Sequence, residues 1–517
     1  MMRKALLIFS LLLSVAAASA NPAETTEALD IGSRLELFVD DYLVESMEGV
    51  GLKLHAPRSA GKVLILDKPW EGNTSAYFNL FQDGDLYRMY YRGSNLAEYV
   101  LADLLQEGEK VLEDHPFTIS YAESKDGIQW ERPNLGIYEF EGSKDNNIVW
   151  MDRPGDQKIA DCMYVFKDGN PGAPDSQRYK AVGGSSYPLV ALASPDGLHW
   201  TELQGQKSLI EKGLHRNAFD ALNVVFWDSF RKKYVIFFRD SDGGPHPKAR
   251  GPAYRHQGTP VQNYGNRSFK FASSDDFINW SSPRWADFGD TPTEHLYTNA
   301  TTAYFRAPQI YLAFPKRFVP WRSISPRALA PGVSETVFLS SRDGLHWDRR
   351  FMEAFIRPGR GKRNWMPRTN MAAVGLVQTA PDTISLYLTR HYTSPSIHLE
   401  RMTLRTDGFV SVHAGYEGGE LVTKPLVFNG DNLVLNISTS AAGSIRLEIQ
   451  DAKGNPLPGF ALEESPLIWG DEIEHTVRWK RTHAKATSDK PLARIAGKPI
   501  RLRFVMKDAD LYSLRFR

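Results

Sequence analysis

Four acidic residues stand just ahead of apolar strand-like runs in this chain, too far apart in sequence to be local partners. Glu71 lies in Pro69-Trp-Glu-Gly-Asn-Thr74, Asp161 in Ala160-Asp-Cys-Met-Tyr164, Asp220 in Phe219-Asp-Ala-Leu-Asn223, and Glu294 in Thr293-Glu-His-Leu-Tyr-Thr-Asn299. If the fold gathers the starts of these strands, three or four carboxylates converge. Such a set has the chemistry to break an acetal: one acid protonates the leaving oxygen, another attacks or activates water, and a further one orients the substrate. On this reading Glu71 is the base or nucleophile, Asp220 an orienting carboxylate and Glu294 the general acid. Asp220 carries the strongest argument, because an unpaired carboxylate between Phe219 and Ala221 is costly unless it has a task. Glu71 equally suits a cap in a turn-like stretch, and Asp161 a surface loop. Asp40 and Asp41 are adjacent, so on a strand at most one of them faces inward.

Other polar residues share this placement and are expected to bind substrate. Arg239 and Asp240 end a strand, Arg306 follows one, and Arg390-His391 end another; His295, Tyr297 and Arg368 lie beside the strand starts. The stretches 245–267 and 357–368 are rich in Arg, Lys and His. A charge run is ordinarily a solvated surface. Placed on the rim of the same funnel, these two would favour an anionic glycan, since arginine forks match carboxylate and sulfate geometry.

The elements that must position these residues are announced by a repeat. Ser124-Lys-Asp-Gly-Ile-Gln-Trp130, Ser194-Pro-Asp-Gly-Leu-His-Trp200, Ser274-Asp-Asp-Phe-Ile-Asn-Trp280 and Ser341-Arg-Asp-Gly-Leu-His-Trp347 are copies of one phrase, and Thr406-Asp-Gly-Phe409 is a degenerate fifth. Each follows an apolar strand, and Asp-Gly supplies a hairpin turn. The spacing of 64 to 80 residues suits a four-stranded sheet with decorated loops. Five copies predict a five-bladed β-propeller over 33–412, with Ser and Asp holding each turn and the four tryptophans packing between blades. The alternating segment 33–56 is expected to close the ring against the last blade. An insert at 95–117 is helix-capable. Clean alternation in Leu433–Ser438, Ser444–Gln450 and Arg501–Met506 predicts an appended C-terminal β-sandwich over 418–517. The fold class is therefore all-β.

Composition bounds the rest. In 517 residues, 62 Lys and Arg balance 61 Asp and Glu, for a net charge of +1, which gives no electrostatic case for nucleic acid. Residues 1–20 carry Arg3 and Lys4, an apolar run and Ala18-Ser-Ala20, the pattern of a signal peptide cleaved near Ala20. A secreted or periplasmic protein without membrane insertion is expected. The single Cys162 excludes an intrachain disulfide. Motifs for zinc hydrolases, serine hydrolases and phosphate-binding loops are absent, and the 13 histidines show no compact metal-ligand spacing. No cofactor is expected, although the funnel has room for a structural calcium ion.

The chain resembles, in architecture, the five-bladed propeller glycoside hydrolases of families 32, 43 and 68. It is more closely similar to secreted bacterial proteins, common in planctomycetes, described as family 32-like. The shared strings are Leu37-Phe-Val-Asp-Asp-Tyr-Leu43, Lys68-Pro-Trp-Glu-Gly-Asn-Thr74, Met89-Tyr-Tyr-Arg-Gly93, Glu294-His-Leu-Tyr-Thr-Asn299 and Gly419-Glu-Leu-Val-Thr-Lys-Pro425. The resemblance implies a secreted glycosidase acting on a plant or algal poly- or oligosaccharide. The family's Trp-Met-Asn-Asp-Pro, Arg-Asp-Pro and Glu-Cys motifs do not occur here, so residue roles do not transfer by motif. Two other readings fit the same scaffold. One is a non-catalytic glycan-binding propeller. The other is a lyase or phosphorylase, in which Tyr297, His295 and Arg368 would be the residues of interest in a lyase.

Overall fold

The computed structural model describes residues 28–517, apart from 153–157, 186, 206, 212–213, 215–217, 243–254, 257–258, 261–264, 326, 329–331 and 480–490. The 1–20 leader and most of the basic stretch at 245–267 lie outside the described residues. What is described is all-β, with only short 3-10 turns besides strands. The helix-capable insert forms two such turns, Ala97–Tyr99 and Ala102–Leu104. Three residues per turn cannot sustain an amphipathic face, and neither turn buries a side chain.

Four antiparallel sheets follow one another along the chain, each of four strands in sequence order. The first runs Ala76–Asp83, Leu86–Gly93, Thr118–Ser124 and Ile148–Met151. The second runs Tyr164–Lys167, Tyr179–Gly183, Val190–Ser194 and Thr201–Glu202. The third runs Val224–Asp228, Lys233–Ser241, Arg267–Ser274 and Arg284–Trp285. The fourth runs Thr301–Tyr304, Ala307–Ala313, Leu339–Ser341 and Trp347–Asp348. A fifth sheet joins Met371–Ala372, Val377–Ala380, Thr383–Arg390 and His398–Arg405, and its outer strand is Arg58–Ile65 from the other end of the chain. The strand that completes the fifth sheet is thus 58–65. Segment 33–56 pairs instead with the C-terminal strands, because its apolar residues Phe38, Leu43 and Val44 are buried in the C-terminal core.

The repeated phrase is the turn between the third and outer strands. Each aspartate caps it: Asp276 Oδ1 accepts from Ile278 N at 2.9 Å and Asn279 N at 2.7 Å. Asp126, Asp196 and Asp343 do the same for their own turns. These are Asx turns, which explains why Asp recurs. Each turn then docks on the sheet before it. Gly344 fits against Phe237 and Phe271 of the third sheet, and Gly197 against Tyr90 and Arg88 of the first. Phe277 packs on Phe166 of the second sheet. Gly127 of the first sheet meets Val377 and Tyr387 of the fifth, and Asp407 of the degenerate copy accepts from Tyr304 of the fourth at 2.6 Å. The order of contacts therefore returns to its start.

These turns make a pH prediction. The Asn279 backbone N–H outweighs a small desolvation and, with the Asn279 side chain and Ile278 N–H, holds Asp276 down to about 2. Burial works against Asp126 and Asp343, yet the turn donors still keep both carboxyls below the usual range. A depressed folded pKa contributes stability above the unfolded value that is lost as pH falls through the folded one. Melting temperature should therefore decline between about pH 4 and about 2, and Asp276→Asn should flatten part of that decline in a Tm-against-pH series.

The C-terminal region forms one hydrogen-bonded network of ten strands, to which Leu29–Gly32, Glu36–Leu37, Val44–Glu48 and Val50–Leu54 contribute. Its long strands, Leu433–Asp451 and Ile500–Phe516, pair along most of their length and shift register between Thr439 and Ser444. Both halves of each strand bury apolar residues in one core, from Leu435 and Leu514 to Ile449 and Leu502. This unit rests on the fourth and fifth sheets: Ser340 Oγ donates to Val39 O, Arg342 pairs with Glu36 and Asp40, and Asp407 accepts from Ser513.

Candidate active site

The ends of the inner strands bring together a group of charged and aromatic side chains contributed by all five sheets and their leading loops. Arg92 closes the second strand of the first sheet. Its guanidinium donates to the Asp161 carboxylate, to Thr74 O at 2.7 Å and to the Tyr392 hydroxyl at 3.1 Å. The rings of Tyr77 and Phe117 lie 4.8 and 5.1 Å from it. From the third sheet, Arg239 donates to Asp220 Oδ2 at 2.7 Å and stands 5.0 Å from the centre of the Tyr297 ring. Arg267 at 5.1 Å and the Lys316 amine at 4.1 Å also face that ring. One tyrosine is thus surrounded by three basic side chains. Cation–π attraction of this kind is worth about 0.5–2 kcal/mol per contact, more where water is excluded.

Asp161 and Asp220 share a neighbourhood. Burial, then the charges of both carboxylates, push the Cys162 thiol well up, and Arg92 and Arg239 oppose them. The side chain of Asp161 is 17% exposed and that of Asp220 is 49% exposed, whereas the paired Arg92 and Arg239 are nearly sealed. Buried guanidiniums thus hold two carboxylates that solvent can reach. Backbone strain is present at the same place: Tyr77, Phe219 and Arg368 have φ of 58°, 67° and 61°. Non-glycine residues in this left-handed region cost of order 1–3 kcal/mol each and cluster at functional sites.

Cations exceed carboxylates here. Burial, then the charges of Arg368, Arg239, Arg267 and Arg92, hold the Lys316 amine well below the usual lysine range. Its hydrogen bond goes to Met371 Sδ at 3.7 Å. Burial likewise lowers Arg267, with Arg239 and Arg368 adding to the effect against Tyr297 and Asp220. Arg368 is raised despite burial by Tyr297, Tyr392, Tyr99 and Tyr77.

The structure separates the other acids from this group. Glu71 is fully buried and occupied: it accepts from Tyr91 Oη at 2.6 Å, Lys68 N at 3.0 Å and Arg132 Nη1 at 2.8 Å. Its carboxylate pins a loop onto the first sheet, the structural role that its turn-like context allowed, and is not presented to solvent as a base or nucleophile would be. Glu294 is gripped by Arg317 at 2.7 Å and Arg349 at 2.9 Å. It lines a different cavity, with Asp242, Asn266, Trp285 and Arg349, and none of Asp161, Asp220, Arg239 or Tyr297 lines that cavity.

Among the binding candidates, Arg239, Tyr297, Arg368 and Asp161 fall in the central group. His295 lies just behind it, its Nδ1 accepting from Arg267 N at 3.2 Å. Asp240 is buried against Lys270 at 2.7 Å. Arg306 pairs with Asp407 at 3.0 Å and with Glu474 of the C-terminal unit at 3.7 Å. His391 bonds Ser396 Oγ at 2.9 Å and is pushed down to about 4 by burial, His398 and Arg363. Among the described residues no group of three or more His, Cys, Asp or Glu is placed to hold a metal ion, and no helix is long and apolar enough to cross a membrane.

Tyr77, Arg92, Lys316 and Tyr392 were not legible as site residues. A signal existed for two of them: Arg92 and Lys316 sit at or just beyond the end of the second strand of their sheets, where Arg239 and Arg390 stand in theirs.

No family model matches this chain. Two curated proteins of Mycobacterium tuberculosis, the uncharacterized proteins Rv1502 of strain H37Rv and MT1551 of strain CDC 1551, are 31% and 30% identical to it over 125 residues. Each match spans 24% of this chain and 32% of the relative, so the chain covers about a third of the curated relatives it matches. Similar solved structures include a glycoside hydrolase, at TM-score 0.44 and 13% identity over 68% of this chain and 92% of the other. An N-acetylgalactosamine deacetylase from F. plautii, in complex with blood group B trisaccharide, has TM-score 0.42 and 10% identity over 69% and 96%. The catalytic domain of a GH62 alpha-L-arabinofuranosidase from Coprinopsis cinerea has TM-score 0.40 and 11% identity over 69% and 98%.

Proposed function

We propose that this chain is a secreted or periplasmic carbohydrate-active enzyme, a glycoside hydrolase whose five sheets are the blades of a propeller and whose substrate enters at their common centre. The observation that carries the reading is the pair of solvent-reachable carboxylates, Asp161 and Asp220, each held by a buried arginine and reached from different sheets. In hydrolysis one of them attacks the anomeric carbon or takes the proton of the attacking water, and the leaving oxygen receives a proton in return. Asp220, the more exposed and fixed by Arg239, suits the first task. Asp161 takes the second task as the protonated acid: a substrate oxygen displaces its contact with Arg92, the carboxylate binds a proton from solvent, and it passes that proton to the leaving oxygen. The partly exposed ring of Tyr77 supplies a stacking surface for a sugar ring.

A second reading is favoured by the cations around Tyr297. A lyase removes the proton beside a uronate carboxylate with a tyrosine or histidine base while a cation neutralises that carboxylate. The test is incubation of the mature protein, and of Asp220→Asn, with neutral, uronic and sulfated polysaccharides. New reducing ends without ultraviolet absorbance of an unsaturated uronate, lost in Asp220→Asn, are the expected result. Absorbance rising with the reducing ends would replace hydrolase by lyase. Tight binding without any product would make the chain a binding module.

A further inference from the structure

We propose that the cavity walled by Trp285, Asn266 and Glu294 is a second carbohydrate site, which holds one neutral sugar unit of a glycan away from the central carboxylates. The inference rests on the reading of the chain as glycan-active and adds a place of contact that takes no part in the chemistry. The cavity measures about 310 Å³, at the lower end of the range for small-molecule sites, which suits a single ring. Asn266 stands just ahead of the third strand of the third sheet, and with Ser268 and Lys270 it shares one face of that strand by the two-residue period. Lys270 is the register partner of Trp285 on the outer strand. Its amine, paired with Asp240, lies 4.5 Å from the centre of the Trp285 ring and braces the indole. Trp285 is nonetheless 38% exposed and lines the cavity, so it offers an aromatic wall to the C–H face of a sugar.

The polar wall is one acceptor short of a donor. Asn266 is only 9% exposed, and its amide is fixed by donating from Nδ2 to Asp242 Oδ2 at 2.8 Å, which leaves Oδ1 on the cavity side without a hydrogen bond among the described residues. A buried acceptor in that state calls for a ligand or water that donates to it. Glu294 adds a further acceptor whose charge is already balanced by Arg317 and Arg349, so the wall accepts hydrogen bonds without demanding a cation. Asp242 and Asp287, also on the wall, disfavour an anion. Hydroxyl groups, which both donate and accept, around an apolar ring face meet these requirements together. The far wall is preformed. Asp287 Oδ1 accepts from Gly289 N at 2.9 Å, Thr291 Oγ1 donates to Phe288 O at 3.0 Å, and the Asp287 backbone bonds Leu345 O and Trp347 N of the fourth sheet's turn at 2.8 Å each. Phe288 packs edge-on against Phe269 at 5.6 Å. A wall fixed before binding loses little freedom when a sugar arrives.

The test is titration calorimetry on the Asp220→Asn protein, which should not consume the probes: cellohexaose, xylohexaose, mannohexaose, arabinohexaose and a glucosamine hexamer. At least one neutral probe is expected to bind, and adding Trp285→Ala should weaken that binding about tenfold or remove one of two sites. Thr293→Trp, at an exposed position on the cavity rim, should do the same by filling the space, and it keeps the test open if Trp285→Ala fails to fold. Binding unchanged in either folded variant overturns the site and leaves the glycan reading standing, as does turnover of a polysaccharide by the unmodified protein with no probe bound. Binding lost in both variants, with no turnover of any polysaccharide by the unmodified protein, keeps the site and overturns the enzyme. Tighter binding of the glucosamine hexamer than of every neutral probe overturns the neutral class. Neither binding nor turnover overturns both readings.

Discussion

Glu71→Ala is expected to destabilise the protein by about 3–5 kcal/mol, the usual consequence of breaking a buried ion pair from one side. The carboxylate satisfies three donors that converge from Lys68, Tyr91 and Arg132, and Arg132 also holds Asp67. Removing it leaves the Tyr91 hydroxyl with only Asn147 and leaves the Arg132 guanidinium with only Asp67 and the Ile65 carbonyl. Burial, opposed by Arg132 and Tyr91, already raises the carboxyl above its ordinary range, so the neutral glutamine should be tolerated far better. Glu71→Gln is accordingly expected to lose much less stability in urea or thermal unfolding. Were Glu71 a base or nucleophile, the glutamine variant would keep its fold and lose all turnover; here it should retain substantial turnover.

Asp161→Asn and Asp220→Asn should show the opposite split. Each is expected to lower kcat/KM by about 10²–10⁴-fold, while the melting temperature moves by only a few degrees. Both side chains are partly exposed, so the amides meet water on one side and keep one hydrogen bond from Arg92 or Arg239 on the other. Glu294→Gln serves as the contrast. Its carboxylate holds Arg317 and Arg349 on the wall of another cavity, so neutralising it should affect stability more than turnover. Measuring rate and Tm together for all three variants separates chemistry from scaffolding.

The parts of the fold that were legible are those written in local rules. Alternation of apolar residues gave the inner strands, and Asp-Gly, with its self-capping side chain, gave the turns. Strand Arg58–Ile65 was hidden because its first five residues are all exposed, so it has no apolar period to read. The site was only partly legible, for a related reason. Position at a strand start found Asp161 and Asp220, but it found Glu71 and Glu294 equally. What separates the two pairs is where the fold sets them: Asp161 and Asp220 share one neighbourhood, whereas Glu71 is buried under Tyr91 and Arg132, 61 residues away, and Glu294 is held by Arg317 and Arg349 on another cavity. No period in the sequence reports such a pairing. Lys316 escaped notice because a lone cation after the apolar run Ile310–Phe314 looks like a strand end meeting water, and only the packing of Tyr297 and Met371 over it shows otherwise.

The fifth sheet is assembled from both ends of the chain, and this sets the order of events during synthesis. Arg58–Ile65 leaves the ribosome early and cannot find His398–Arg405 until more than 300 further residues have been made. Until then it is an unpaired edge, open to any other strand that passes. Its Arg58 and Lys62, its glycine at position 61 and its exposed faces are what keeps such an edge from sticking. The early sheets have their own strands in sequence order and are free to form as they emerge. The last sheet is the slow, long-range closure, and the polar character of 58–65 is the safeguard that lets the chain wait for it.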